Sequence, residues 1–143
     1  MRIKYAQDNL IYDIELAQRI GAFAVVVHTG SAVTLPQDEA YNNIASNIKA
    51  VLAATASTAP DVILCLETAA GQGTQIATDL DGLAKLWNLC GAGARLGICV
   101  DTAHLFSAGC DIRNVAGFSA YIDEFNKKIG INNLRVFHLN DSK

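Results

Sequence analysis

An α/β fold built on a parallel sheet follows from three features of the 143-residue sequence. Four short runs of aliphatic and β-branched residues recur along the chain, at 23–27, 62–66, 96–100 and 134–137. Segments with helical periodicity separate them. Each run is closed by a side chain able to do chemistry, in order His28, Glu67, Asp101 and His138, at steps of 39, 34 and 37 residues.

Taken from the start, the pattern predicts a helix over 8–19, ended by Gly21, and then the first strand at 23–27. A helix over 39–56 follows and is stopped before Pro60, which precedes the strand at 62–66. The next helix, over 79–90, ends before Gly91 and Gly93 and leads into the strand at 96–100. The last helix, over 115–129, ends at Gly130 before the strand at 134–137. Glycine and proline fall after the periodic segments, where helix ends need a left-handed residue or a stop. The four strands are apolar throughout rather than alternating, so each is expected to be buried on both faces.

An order of α-βα-βα-βα-β calls for parallel strands joined by right-handed crossovers. Eight repeats of this length would make roughly the 250 to 300 residues of a TIM barrel, so the chain reads as about half of one, a partial (β/α)8 barrel forming a single domain over 1–143. No low-complexity stretch or linker interrupts it.

With 51% hydrophobic and 17% charged residues there is material for one ordinary core. No apolar run approaches the roughly 18 residues of a membrane helix. The opening MRIKYAQDN is too polar for a signal peptide, so a cytoplasmic or nucleocytoplasmic protein with no membrane partner is expected. Cys65, Cys90, Cys99 and Cys110 show no C-x-x-C spacing and read as reduced structural thiols. A net charge of -3 and a pI near 5.5 leave no basic footprint for nucleic acid, unless bound cations or a local patch supply it.

All three histidines occupy related places. His28 and His138 directly follow strands, and His104 lies three residues beyond Asp101. In a parallel sheet every strand's carboxyl end lies at one mouth, so His28, Glu67, Asp101, His104 and His138 should converge there. Imidazole nitrogen and carboxylate oxygen are the donors taken by zinc, or by manganese or iron in a site richer in oxygen. A carboxylate such as Glu67 can bridge two cations, an arrangement suited to hydrolysis at phosphorus. Singly, a strand-end histidine is more often a hydrogen-bonded structural residue; five such groups at one end of four strands favour a metal site.

Weaker features surround this set. Gly71, Gln72 and Gly73, followed by Thr74, could bring backbone amides to a phosphate, although a strand-to-helix turn explains the glycines equally well. Arg113 could meet a phosphate, but an ion pair with its surroundings is the more ordinary role. Trp87 sits at core spacing between Leu83, Leu86 and Cys90 and reads as packing.

The segments VVVHTGS (25–31), LETAAGQGT (66–74), LGICVDTAHLFSAGCDIR (96–113) and FHLNDSK (137–143) resemble, in order and spacing, the signature segments of the endonuclease IV family of abasic-site endonucleases. The resemblance implies a TIM barrel with up to three zinc ions at its mouth. It also implies a DNA-repair nuclease that acts on double-stranded DNA containing abasic sites, cutting on their 5′ side, with metal-activated water as the nucleophile. By motif, Glu67 resembles the carboxylate that bridges two ions, Asp101 and His138 resemble ligands of one of the pair, His28 of the other, and His104 of the third. Thr29, Ala103 and Cys110 stand where the family usually has proline, cysteine and an aromatic residue, and none of these departures removes a ligand.

The family carries further ligands before the helix at 8–19 and after FHLNDSK, so the expectation is a central fragment of a longer barrel, inactive or very weak alone. Open barrel edges are costly, and two copies closing a ring would only repeat the same five ligands. Two other readings stay open: a non-catalytic metal-binding remnant, and a metal-dependent sugar isomerase or epimerase on the same kind of barrel.

Overall fold

The four aliphatic runs pair in chain order. In the computed structural model, which describes residues 2–141, β1 (Ala24–His28), β2 (Ile63–Glu67), β3 (Leu96–Asp101) and β4 (Leu134–His138) form one parallel sheet of order β1-β2-β3-β4. Met1, Ser142 and Lys143 lie outside the described residues, the last two belonging to the fourth signature segment. Helix α1 (Arg2–Ile20) precedes the sheet, α2 (Gln37–Ala54) and α3 (Leu80–Leu89) make the first two crossovers, and α4 (Thr102–Ser107) and α5 (Val115–Lys128) make the third. This is the expected α/β architecture, a partial barrel wall with its helices packed side by side.

Local chemistry sets the ends. Asp79 caps α3 by accepting from Gly82 N at 2.7 Å, and Asn114 caps α5 by accepting from Gly117 N at 2.9 Å. Each such cap is worth about 1 kcal/mol. Gly21, Gly91 and Gly130 follow helix ends at φ 76°, 92° and 94°, a region that is costly for any residue with a Cβ. One helix-facing side of the sheet carries Leu64, Leu66, Ile98 and Val100, which are fully buried with Val51, Leu83, Leu86 and Phe125. Trp87 is buried among them, as its spacing predicts. Cys65, Cys90 and Cys99 are buried, Cys110 is half-buried, and all four are free thiols. Among the described residues no helix is long and apolar enough to cross a membrane.

Three expectations need correction. Only β2 and β3 are buried along nearly their whole length; β1 is half-buried and ends on an exposed His28, and β4 alternates. The two outer strands lack a neighbour on one side, so their apolar composition does not bring burial on both faces. Second, α1 begins at Arg2 rather than at residue 8, with Asp8 inside it 3.6 Å from Lys4 one turn earlier. Lys4, Tyr5, Ala6 and Asp8 are all exposed, so this stretch lacks the apolar stripe by which a helix is read from sequence. Third, α4 and a 3-10 turn at Ile131–Asn133 have no counterpart in the sequence pattern, both being too short to show a period.

The register brings the strand ends together. His28 lies beside Glu67 and Asp101 beside His138. Between Ile98 and Cys99 the pairing with β4 skips from Leu134 to Val136, so Arg135 is an extra residue, a β-bulge. A Cβ on Gly97 would stand 2.7 Å from Arg135 Cγ and 3.0 Å from Cys65 Sγ, so the glycine makes room for the Arg135 stem on the barrel-interior side.

The Tyr121 hydroxyl is buried without a hydrogen-bond partner among the described residues. Burial pushes the phenol well above its usual pKa, with Cys110 and Glu124 adding to the effect. Removing a hydroxyl that has lost water and found no partner removes a cost, so Tyr121→Phe is expected to stabilise the chain by about 1 kcal/mol, whereas Phe125→Ala should cost about 3 to 5 kcal/mol. Urea unfolding of both variants checks this, and a Tyr121→Phe chain less stable than its parent would contradict it.

Candidate metal centre

Each strand ends on a polar side chain, and parallel pairing sets these ends along one edge of the sheet. Glu67, the last residue of β2, sits at the centre. Its side chain is only 5% exposed, yet it is a carboxylate, so partners must replace the water it has lost. They come from both sides. His28 Nε2 lies 2.9 Å from Oε2, and His138 Nδ1 lies 2.9 Å from Oε1. His104 Nδ1 approaches Oε1 at 3.6 Å.

Asp101, at the end of β3, is the second buried carboxylate, its side chain 4% exposed. One oxygen caps α4 by accepting from His104 N at 2.8 Å, and the other accepts from Asn140 Nδ2 at 2.9 Å while standing 3.6 Å from His138 Nδ1. Burial alone would raise its pKa. The His104 amide, the Asn140 amide and the His104 ring outweigh that and hold the carboxyl below its ordinary value.

The three imidazoles form a rim above these acids, with His104 27%, His138 41% and His28 71% exposed. The rings of His28 and His104 meet edge to face with centroids 5.7 Å apart. His104 Nδ1 lies 2.8 Å from the Thr68 carbonyl, an acceptor only, so this nitrogen carries the proton and Nε2 is left free. All five residues singled out from strand ends therefore come together.

The donor set fits a divalent cation. One donor atom each from His28, Glu67 and His104 lie within 4.8 Å of one another, and so do one each from Glu67, Cys99 and His138. Two ligands of one tetrahedral zinc stand about 3.3 Å apart, close to both 2.9 Å contacts of Glu67. Cys99 is a neighbour whose place inside an apolar run marks it only as packing. Burial, aided by the charges of Glu67, Cys65 and Asp101, pushes its thiol up to about 12, so it rests there as a neutral group.

The weaker candidates are more ordinary. Gly71 and Gly73 adopt φ values of 82° and 56°, and the Gln72 amide donates to Gln75 Oε1 at 2.8 Å within the same turn. Thr74 ties this turn to the loop after β1, its carbonyl accepting from Ala32 N at 2.8 Å. Arg113 makes a double hydrogen bond to Asp111 at 2.9 Å and lies over the Phe106 ring. It lines a cavity of about 260 Å³ beside the cluster, with Thr102, Phe106 and Asn140.

Sequence reasoning missed the residues that hold these side chains in place: Thr68, Thr102 and Asn140. Thr68 accepts from Asp101 N through its hydroxyl at 3.0 Å in addition to accepting from His104 through its carbonyl. The available signal was position, since Thr68 and Thr102 each directly follow a strand-end carboxylate.

A family profile described as a xylose isomerase-like TIM barrel matches residues 2–143. The chain is 38% identical over 139 residues to the probable endonuclease 4 of Mycoplasma pneumoniae, a match covering 97% of this chain and 46% of that protein. Among solved structures it is similar to endonuclease IV from Thermus thermophilus, with a TM-score of 0.78 and 27% identity, covering 97% of this chain and 46% of the other. A D-tagatose 3-epimerase-like protein shares the fold at a TM-score of 0.68 and 20% identity, covering 98% of this chain and 49% of the other. The chain thus spans about half the length of the curated relatives it matches.

A cation held by the folded cluster and not by the unfolded chain must stabilise the fold. Zinc at about 100 times its dissociation constant should add about 2.7 kcal/mol, and Glu67→Gln should remove most of that gain. Thermal melting with and without zinc measures it. An unchanged melting temperature in the parent, or an equal rise in Glu67→Gln, would count against a metal centre.

Proposed function

The chain belongs to the endonuclease IV family of xylose isomerase-like TIM barrels, and we propose that its half-barrel carries the metal-binding heart of a phosphodiesterase that cuts DNA on the 5′ side of abasic sites. The observation that carries this reading is the two-sided placement of Glu67, with His28 on one carboxylate oxygen and His138 on the other. That is the arrangement needed by a carboxylate shared between two cations. The metal ligands in this reading are His28, Glu67, Asp101, His104 and His138, with zinc the cation that best suits the mixture and manganese or iron the alternatives.

When bound, such cations supply Lewis acidity at the phosphate and lower the pKa of water beside it. The chain's own residues do the rest. Glu67 and Asp101, rooted in the buried ends of β2 and β3, fix the spacing of the donors. The imidazoles present nitrogen at the rim, where a substrate phosphate would arrive, and His104 is turned to do so by the Thr68 carbonyl. Gly71, Gln72, Gly73 and Arg113 are the positions assigned to DNA contact, Arg113 through release from Asp111 to a phosphate oxygen. The chain's net charge of -3 makes cations at the mouth the attraction for DNA. Its likeness to the epimerase-like protein, at 20% identity, reflects the shared barrel and carries no substrate.

Five side chains, one of them bridging, offer six bonds, whereas three four-coordinate ions require about twelve. The isolated 143-residue chain is therefore expected to hold fewer than three ions and to incise DNA weakly. Incision of a duplex bearing one abasic site, measured with zinc, with a strong chelator and with Glu67→Gln, tests the proposal. Incision on the 5′ side that chelator and Glu67→Gln both abolish is the expected result. Incision that survives either would sink it.

A further inference from the structure

Asp101 is held more firmly than a ligand needs to be. An aspartate carboxylate rotates broadly about its last torsion, so its oxygens face a cation well only if something sets the angle. His104 N fixes Oδ1 at 2.8 Å, but that contact alone leaves Oδ2 free to swing. Oδ2 is met at 2.9 Å by Asn140 Nδ2.

Asn140 is in turn locked. Its carbonyl accepts from the Thr102 hydroxyl at 2.7 Å, and its backbone N–H donates to the same hydroxyl at 3.0 Å. Its side-chain Oδ1 accepts from Ala103 N at 3.1 Å. These contacts fix which way the amide faces, because a flipped amide would set Oδ1 against the Asp101 carboxylate and Nδ2 against the Ala103 N–H. Thr102 follows Asp101 directly and Asn140 lies two residues after His138, so the lock joins the ends of β3 and β4.

We infer that Asn140, held by Thr102, is a positioning residue that sets the Asp101 carboxylate toward the cation it shares with His138. The inference rests on the metal-centre reading above. An amide used only to cap α4 would need no donor aimed at a buried carboxylate; the Ala103 contact would suffice.

The test measures Co2+ affinity by competition with a chromophoric chelator, the visible absorption of the bound Co2+, and the melting of the metal-free chain. Loss of an outer partner of a metal ligand lowers affinity about 10- to 100-fold, and Asn140→Leu, which keeps the branched shape and removes the side-chain hydrogen bonds, is expected to fall in that range with a changed Co2+ band. Thr102→Val should weaken binding in the same direction, Thr102→Ser should match the parent, and Thr102→Val added to Asn140→Leu should cost under about threefold more, since both act on one path. An Asn140→Leu chain that binds within about threefold of the parent with an unchanged band would overturn the inference while leaving the metal centre intact, since the ligands themselves are untouched. Should Asn140→Leu fail to fold, the comparison of Thr102→Val with Thr102→Ser decides, and equal affinities overturn the inference. A parent chain that takes up no Co2+ overturns both the metal-centre reading and this inference.

Discussion

The carboxylate of Glu67 is the constraint around which the mouth of this half-barrel is organised. A charge at the end of a buried strand, with its side chain 5% exposed, has to be compensated on the spot. Parallel pairing makes that possible. Because β1 and β2 run in register to their last residues, His28 arrives beside Glu67 with no loop to place it. Because β3 and β4 end in the same way, His138 arrives beside Asp101 and reaches across to Glu67. The atoms whose hydrogen bonds settle the charge are also the donors that would suit a cation.

Much of this was legible because it depends on two regularities that a sequence carries openly. Aliphatic runs, closed by polar residues at steps of 39, 34 and 37, mark the strands, and parallel strands put their carboxyl ends on one edge. From those facts His28, Glu67, Asp101, His104 and His138 are expected to meet, and they do. The family signature assigned them roles that spacing alone could not. Composition was a poorer guide at the edges: β1 and β4 are as aliphatic as β2 and β3, yet remain partly exposed, since burial depends on neighbours and not on the run itself. The contacts of Thr68, Thr102 and Asn140 were out of reach, because a hydroxyl or amide finds its partner through loop geometry that leaves no period behind.

The division between floor and rim has a chemical logic. The acids lie at the ends of the two most buried strands, where packed neighbours hold them, and the more exposed imidazoles ring the opening. Short, well-capped segments keep them there. Asp101 serves as the N-cap of α4 while its other oxygen meets Asn140, so the helix that carries His104 is anchored on a buried carboxylate of the cluster. Thr68 binds the same unit from the β2 side. The ends of β2 and β3 are thus tied to each other through Thr68 as well as through the sheet.

The bulge at Arg135 lets the last strand carry one residue more than its neighbour without losing phase. Regular continuation of the pairing of Ile98 with Leu134 would set Phe137 opposite Asp101, and His138 would fall past the end of the ladder with its side chain on the other face, since successive side chains alternate. Taking up the surplus beside Gly97 instead keeps Phe137 and His138 in step with Val100 and Asp101. The mouth therefore imposes a count on the chain after the bulge and leaves the length before it free. A residue gained or lost upstream of Val136 has a place to be absorbed, whereas one gained or lost between Val136 and His138 trades an imidazole for a neighbouring side chain. The three residues that end the strand, Val136 to His138, are thus the stretch whose length the mouth fixes.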